Sequence, residues 1–197
     1  MDRPVAFFDF DGTLTRRDSF LPFLLQVRRS RFLCDILATA PWLAAYALHV
    51  LPNDRAKEAI LKRTLAGMHI DHLRMHGEYF AAKKIPRLLR DDTMNRLREH
   101  RHQGHICVLV SASLDIYLEP WRVQNGFDFA LTSSLDVDHE GFVTGKLRGR
   151  NCFGQEKAER IRAFLNVIGG APFTFAYGDS KGDQQMISLV DSGHWVK

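Results

Sequence analysis

The sequence predicts an α/β fold, in which a parallel Rossmann-like sheet is flanked by helices and interrupted by a helical insertion. Three observations lead there. Short apolar runs at 5–8, 106–110 and 173–177 each stop abruptly at a polar loop instead of alternating with polar residues. Strands buried on both faces read this way, and they belong to parallel sheets. Helical patterns at 92–103, 115–125, 155–166 and 183–190 stand between and after these runs, as crossover connections require. Finally, Asp9 and Ser111, at the ends of the first two runs, are 102 positions apart. A βαβ unit needs only about 30 residues, so roughly 70 are inserted.

The insertion is helical in pattern, with Pro41, Pro52-Asn53 and Gly67 as punctuation. The chain therefore divides into an α/β core, 1–18 and 91–197, and a helical cap, 19–90, hinged near 15–18 and 90–92. Weaker strands are expected at 129–132 and 194–196. A hairpin is expected where 134–137 and 142–144 flank Asp138-His139-Glu140-Gly141.

Composition narrows the class. Of 197 residues, 45% are hydrophobic and 25% charged, which excludes disordered and low-complexity chains. A formal charge of +4 suits anionic partners. Cys34, Cys107 and Cys152 have neither disulfide-framework nor zinc-type spacing, which fits a reducing cytoplasm. No apolar segment with a small-residue cleavage site follows Met1, so secretion is not expected.

Chemistry gathers where the strands end. Asp9 and Asp11, in Asp9-Phe10-Asp11-Gly12-Thr13, follow a buried strand. Two carboxylates held close repel unless they share a cation or a proton. Oxygen ligands without histidine favour Mg²⁺, which binds a few carboxylates together with phosphate oxygens. A second acidic loop, with Asp179 and Asp183, follows the 173–177 strand and completes a metal site if that strand lies beside the first.

With Val110-Ser111-Ala112-Ser113, Lys157 and Tyr177-Gly178-Asp179-Ser180 through Asp183, the Asp9 motif resembles the four ordered motifs of the haloacid dehalogenase-like phosphatases. The resemblance implies phosphoester hydrolysis. Asp9 would attack phosphorus to give an aspartyl-phosphate, and Asp11 would act as acid and then base. Mg²⁺ would be held by the carboxylates of Asp9 and Asp179 and the main-chain carbonyl of Asp11, with Asp183 in support. Ser111 and Lys157 would bind phosphoryl oxygens, and Thr13 would help close the loop. A carboxylate at Asp11 favours phosphate esters over carbon–halogen bonds.

The cap position, Gly145-Lys146-Leu147 and the stretch 149–157 are similar to the branch containing phosphoserine phosphatase and bacterial phosphatidylglycerophosphatase C. Ser111-Ala112-Ser113 departs from the Ser-Gly-Gly loop of phosphoserine phosphatase. The cap is also more apolar than a small zwitterion requires. The expected substrate is therefore an amphipathic phosphate such as phosphatidylglycerophosphate. The alternatives are a phosphoserine-like soluble ester and, from another class, a regulatory phosphoacceptor module.

Other features read more plainly. Ser113 is expected to cap the following helix. His100, His102 and His105 are expected at a solvated helix end. Arg28, Arg29, Arg31, Lys57, Lys62 and Arg63 accompany no nucleic-acid-binding module, so nucleic acid is not an expected partner. The run 36–52 lacks Asp, Glu, Lys and Arg, but at 17 residues it falls short of the roughly 20 that span a bilayer. Two readings stay open for it. It packs inward as cap core, or, with Trp42, Tyr46 and the arginines at 28–31, residues 28–52 lie on the anionic inner face of a membrane.

Overall fold

The computed structural model describes residues 3–48 and 50–197. Met1, Asp2, His49 and the side chain of Ser30 lie outside that description, and the last two belong to the 28–52 segment.

Strand β1 is Val5–Phe8, and all four residues are buried. It pairs in parallel with β2, Ile106–Leu114, on one side and with β6, Thr174–Gly178, on the other. Strand β3, Phe129–Ser133, extends the sheet beyond β2, and β7, Ser192–Trp195, extends it beyond β6. The order is β3-β2-β1-β6-β7. Successive β1 side chains point to opposite faces. Ala6 and Phe8 join one core with Cys107, Leu109 and Tyr177, while Val5 and Phe7 join another with Ile106, Val108 and Ala176. The double burial explains why these strands read as unbroken apolar runs.

The chain leaves β1 toward β2 and β3, then crosses to β6 and β7 on the opposite side. The carboxyl ends of β1 and β6 flank the resulting crevice, the usual ligand position in such sheets.

Among the described residues the insertion carries the α-helices α1, Phe20–Arg28; α2, Phe32–Ala38; α3, Ala40–Ala47; α4, Asn53–Thr64; and α5, Ile70–Lys83. Helix α6, Asp91–His102, returns the chain to β2. Phe23, Leu61, Leu73 and Phe80 of the insertion share a core with Phe10, Tyr117 and Trp121. Helix α5 lies hard against the start of α7, Asp115–Asn125. A Cβ on Gly77 would come within 2.1 Å of the Ile116 carbonyl oxygen, so only glycine permits this approach.

Several local expectations are corrected. Strand β2 runs on through Ser111 and Ser113 to Leu114, because Ser111 and Leu114 still pair with β3; main-chain pairing, rather than side-chain polarity, ends a strand. The helix expected at 183–190 is only α9, Gln184–Ile187, after a 3₁₀ turn at Lys181–Asp183, since the chain must re-enter the sheet at Ser192. The apolar run is two helices, broken at Thr39, whose hydroxyl donates to the Ile36 carbonyl at 2.8 Å, with Pro41 in the first turn of α3. Nor does it simply pack inward. Ile36 and Leu43 rest against the core, but α3 buries none of its residues completely.

His100 is not solvated. It lies under the sheet, with Nε2 2.9 Å from the Tyr177 hydroxyl and Nδ1 2.8 Å from His105 Nδ1, and burial pushes its pKa down to about 4. The inward face of α6 carries it there.

The expected hinges are joined to each other. Arg16 N donates to Leu88 O at 2.7 Å and Arg90 N to Leu14 O at 2.9 Å. A further attachment comes from the hairpin of β4, Leu135–Val137, and β5, Val143–Leu147. Gly67 N donates to Val143 O, and Ile70 N to Gly141 O, both at 2.8 Å. The α4–α5 half of the insertion is therefore fastened to the core as well as tethered by its linkers.

Candidate active site

The end of β1 delivers Asp9 into the crevice, and its amide stays in the sheet by donating to Tyr177 O at 2.9 Å. The chain then turns sharply through Gly12, whose φ of +85° lies in the left-handed region. A Cβ at Gly12 would also sit 2.2 Å from an Asp179 carboxylate oxygen, so glycine lets the two acidic loops touch. Thr13 Oγ1 spans the same junction, donating to Asp179 Oδ1 at 3.0 Å.

At the centre lies Lys157, in the first turn of α8, Gln155–Val167. Its ammonium is buried and reaches Asp9 Oδ1 at 2.5 Å and Asp183 Oδ1 at 2.6 Å. The other Asp183 oxygen accepts from the Ser180 hydroxyl at 2.9 Å and amide at 3.1 Å. Burial opposes the charge on Lys157, but the two carboxylates outweigh it and hold its pKa above the usual lysine value. Burial pushes Asp9 up to about 7 despite the adjacent ammonium, with Asp183 and Asp11 adding to the rise. Burial also raises Asp179, opposed by the bond from Thr13.

One oxygen from each of Asp9, Asp179 and Asp183 lies within 4.8 Å of the others. Three carboxylates face a single ammonium, so the cluster carries an excess of negative charge that a hard dication would balance. The donor set fits Mg²⁺. Asp11 stands apart from the cluster by its side chain. Oδ1 accepts from Ser19 N at 2.8 Å and Oδ2 from Ser113 Oγ at 2.5 Å. Burial and the nearby Asp18 push Asp11 up to about 6, while the bonds from Ser113 and Ser19 oppose the rise.

Ser113 therefore orients Asp11 and does not cap α7. Leu114 occupies the position before that helix, because β2 continues one residue past Ser113. Ser111 is buried at the edge of the crevice, and its Oγ accepts from Ser113 N at 3.0 Å, with no acceptor for its own proton among the described residues.

A cavity of about 420 Å³ stands over these groups. Its floor is polar, with Asp9, Asp11, Ser111 and Lys157; its wall is apolar, with Phe20, Ile36, Leu43, Ala56 and Ile60 of the insertion. One cation enters from that wall. Lys57 Nζ donates to Ala112 O and, at 3.1 Å, to Asn151 Oδ1, and it lies 4.9 Å from the centre of the Phe20 ring. Burial pushes its pKa down to about 8, opposed by Asp11 and Asp18. Asn151 also accepts from the Ser133 hydroxyl at 2.7 Å and donates to Asn53, joining insertion to core. Sequence reasoning missed Asp18, Asn53, Lys57 and Asn151 as site residues; Asn151 lies in the 149–157 stretch that carries the family resemblance but had no role assigned, whereas Asp18, Asn53 and Lys57 belong to no motif and are aimed at the cavity by tertiary packing.

The fold and this acidic site agree with the family comparison. The model for haloacid dehalogenase-like hydrolases matches residues 6–188, and the chain belongs to that family. It is 34% identical over 184 residues to Protein CicA of Caulobacter vibrioides, covering 93% of this chain and 82% of that protein. Among solved structures, a Bordetella pertussis Tohama I protein of unknown function superposes with a TM-score of 0.85 at 23% identity, covering 98% of this chain and 89% of the other. A phospho-aspartyl intermediate analogue of phosphoserine phosphatase superposes at 0.69 and 18% identity, covering 98% and 86%.

Mg²⁺ is expected to raise the melting temperature of the purified chain, equivalent to about 2.7 kcal/mol at 100 times its Kd. Asp179→Asn is expected to remove most of that rise. No Mg²⁺-dependent shift in the parent chain would rule out the cluster as a divalent site.

Proposed function

We propose that this chain is a Mg²⁺-dependent phosphomonoester hydrolase that works through a phosphorylated Asp9 and takes an amphipathic phosphate, phosphatidylglycerophosphate being the kind of molecule that fits. The observation that carries the reading is the division of the cavity, an acid–base and anion-binding floor beneath an apolar wall.

Each floor residue has a task its geometry suits. Lys157 holds one Asp9 oxygen, leaving the other to attack phosphorus as the bond to the ester oxygen breaks. The leaving oxygen takes its proton from Asp11. Asp11 then removes a proton from the water that attacks the phosphoaspartate, releasing inorganic phosphate and restoring Asp9. A carboxyl near pKa 6 is suited to both transfers around neutral pH. Ser111 Oγ and Lys157 Nζ receive phosphoryl oxygens. Mg²⁺ at Asp9, Asp179 and Asp183 would supply charge neutralisation for the phosphoryl group. The helical insertion acts as the cap. Its Lys57 sits where it can meet the leaving group's first polar atoms, with apolar side chains beyond.

Structural similarity to phosphoserine phosphatase favours the same reaction and keeps a soluble ester as the second reading. The test is phosphate release from phosphoserine, other soluble monoesters and detergent-dispersed lipid phosphates, with and without Mg²⁺. Preference for the lipid set is expected, and Asp9→Asn should lower turnover by roughly 10⁴-fold or more. Turnover of soluble esters alone would overturn the amphipathic reading, and normal activity in Asp9→Asn would overturn the nucleophile.

Lys57 gives a pH signature. With its pKa lowered to about 8, it is charged below that pH and loses its charge as pH rises through it. kcat/KM is expected to fall across this range, and Lys57→Met to flatten that limb while Mg²⁺-dependent turnover of a small aryl phosphate persists. An unchanged profile in Lys57→Met would exclude this role.

A further inference from the structure

The outer face of the α1–α3 half of the insertion is covered with apolar side chains. Leu33 and Leu37 of α2 are 70% and 72% exposed, and Leu48 and Val50, just past α3, are 75% and 76% exposed. Trp42 is about half exposed on α3. So much apolar surface in one short stretch marks a contact face rather than ordinary surface.

The charges on this face have one sign. Asp35 is the only acidic residue between Ser19 and Asn53. It is buried, with Arg28 2.6 Å from one of its oxygens and Arg63 3.4 Å from the other. Its charge is thus consumed inside. Arg29 and Arg31 are exposed and, among the described residues, have no carboxylate partner. The positive field continues along α1. The groove between α1 and α5 is lined by Arg17, Arg29, Lys84 and Arg87 and by no acidic residue.

The face also reaches the catalytic cavity. Leu21 and Tyr46 line that cavity and are themselves 43% and 38% exposed. Leu21 of α1 and Tyr46 of α3 therefore both line the cavity and reach its outer surface. Among the described residues, no helix is long and apolar enough to cross a membrane. Short helices with apolar side chains, an interfacial Trp and flanking arginines instead suit a position in the plane of an anionic lipid surface, with the side chains reaching about 5–10 Å into the headgroup and acyl boundary.

We propose that the outer face of α1–α3 docks on an anionic bilayer and that the cavity mouth between Leu21 and Tyr46 opens toward it, so that a lipid phosphomonoester reaches Asp9 while its acyl chains stay in the membrane. This rests on the amphipathic-substrate reading above and adds the surface from which the substrate comes. Acyl chains would follow the apolar wall, and Arg29 and Arg31 would sit among acidic headgroups.

The test is co-sedimentation of the full chain with vesicles of equal parts phosphatidylglycerol and phosphatidylcholine, against vesicles of phosphatidylcholine alone. Size-exclusion chromatography gives the oligomeric state. Binding is expected to the anionic vesicles and to weaken with salt. Arg29→Glu/Arg31→Glu should weaken partitioning by roughly tenfold or more, and Leu37→Glu/Leu48→Glu should do the same. Both variants change exposed residues outside the catalytic floor. They should keep wild-type turnover of a small aryl phosphate while losing turnover of vesicle-borne lipid phosphate.

Absent vesicle binding, binding untouched by both variants, or a dimer that Leu37→Glu/Leu48→Glu dissociates would each overturn the proposal. The two readings fail separately. Detergent-dispersed lipid phosphates turned over without vesicle binding would defeat docking and leave the lipid phosphatase standing; vesicle binding without lipid hydrolysis would do the reverse.

Discussion

The buried ammonium of Lys157, bonded to Asp9 and Asp183 at once, is the interaction on which the rest of the site depends. It ties together the end of β1, the loop after β6 and the first turn of α8. The connection is reinforced where Gly154 N, just before that helix, donates to Gly182 O at 3.0 Å. An ion pair this deeply buried is poor evidence of net stability, but removing one partner strands a charge and costs about 3–5 kcal/mol. The geometry is therefore strongly fixed. One ammonium still leaves the three carboxylates under-neutralised, while the rise in the Asp9 pKa comes first from burial, with Asp183 and Asp11 adding to it. That excess of carboxylate over ammonium suits the site to a dication.

Around this centre the labour divides between the two parts of the chain. The sheet supplies groups that need exact placement, on loops held by Gly12 at positive φ and by the Thr13–Asp179 bond. The insertion supplies a wall whose chemistry is mostly apolar, plus Lys57. Asn151 and Ser133 carry the wall's position into the core, and the β4–β5 hairpin fastens α4 and α5. The parts of the insertion that face outward most, α2 and α3, join this stitching only through α4, by the Arg63–Asp35 pair and the bond from Asn53 to the Tyr46 hydroxyl among the described residues.

What the sequence made legible was local. A strand buried on both faces announces itself by its unbroken apolar run, and Asp9, Asp11, Asp179 and Asp183 sit at strand ends that the run lengths locate. Lys157 was legible as one element of an ordered motif set; alone, a lysine at a helix start says nothing. Ser113 was misread because a serine before a helix satisfies the local rule for a cap, while the pairing with β3 that prolongs β2 is a long-range fact. His100 was misread for the same reason, since its partner Tyr177 lies 77 positions away. Lys57 carried no signal, because the packing of α4 over β2 and the 149–154 loop creates its role, and Asn151 was legible only as one residue of the 149–157 stretch, its bond to Lys57 spanning 94 positions. The apolar run left two readings open because periodicity cannot distinguish a helix with apolar neighbours from one with none.

The central claim is that Asp9 takes the phosphoryl group, and its most direct test is the covalent intermediate itself. The Asp11→Asn enzyme, in which release from Asp9 is slowed, would be mixed with Mg²⁺ and a turned-over phosphomonoester, quenched in acid and mapped by peptide mass spectrometry. One added phosphoryl group on the peptide containing Asp9, absent without Mg²⁺ and in the Asp9→Asn enzyme, is the predicted result. Turnover with no phosphopeptide at any quench time, or a phosphoryl group on a residue other than Asp9, would contradict it.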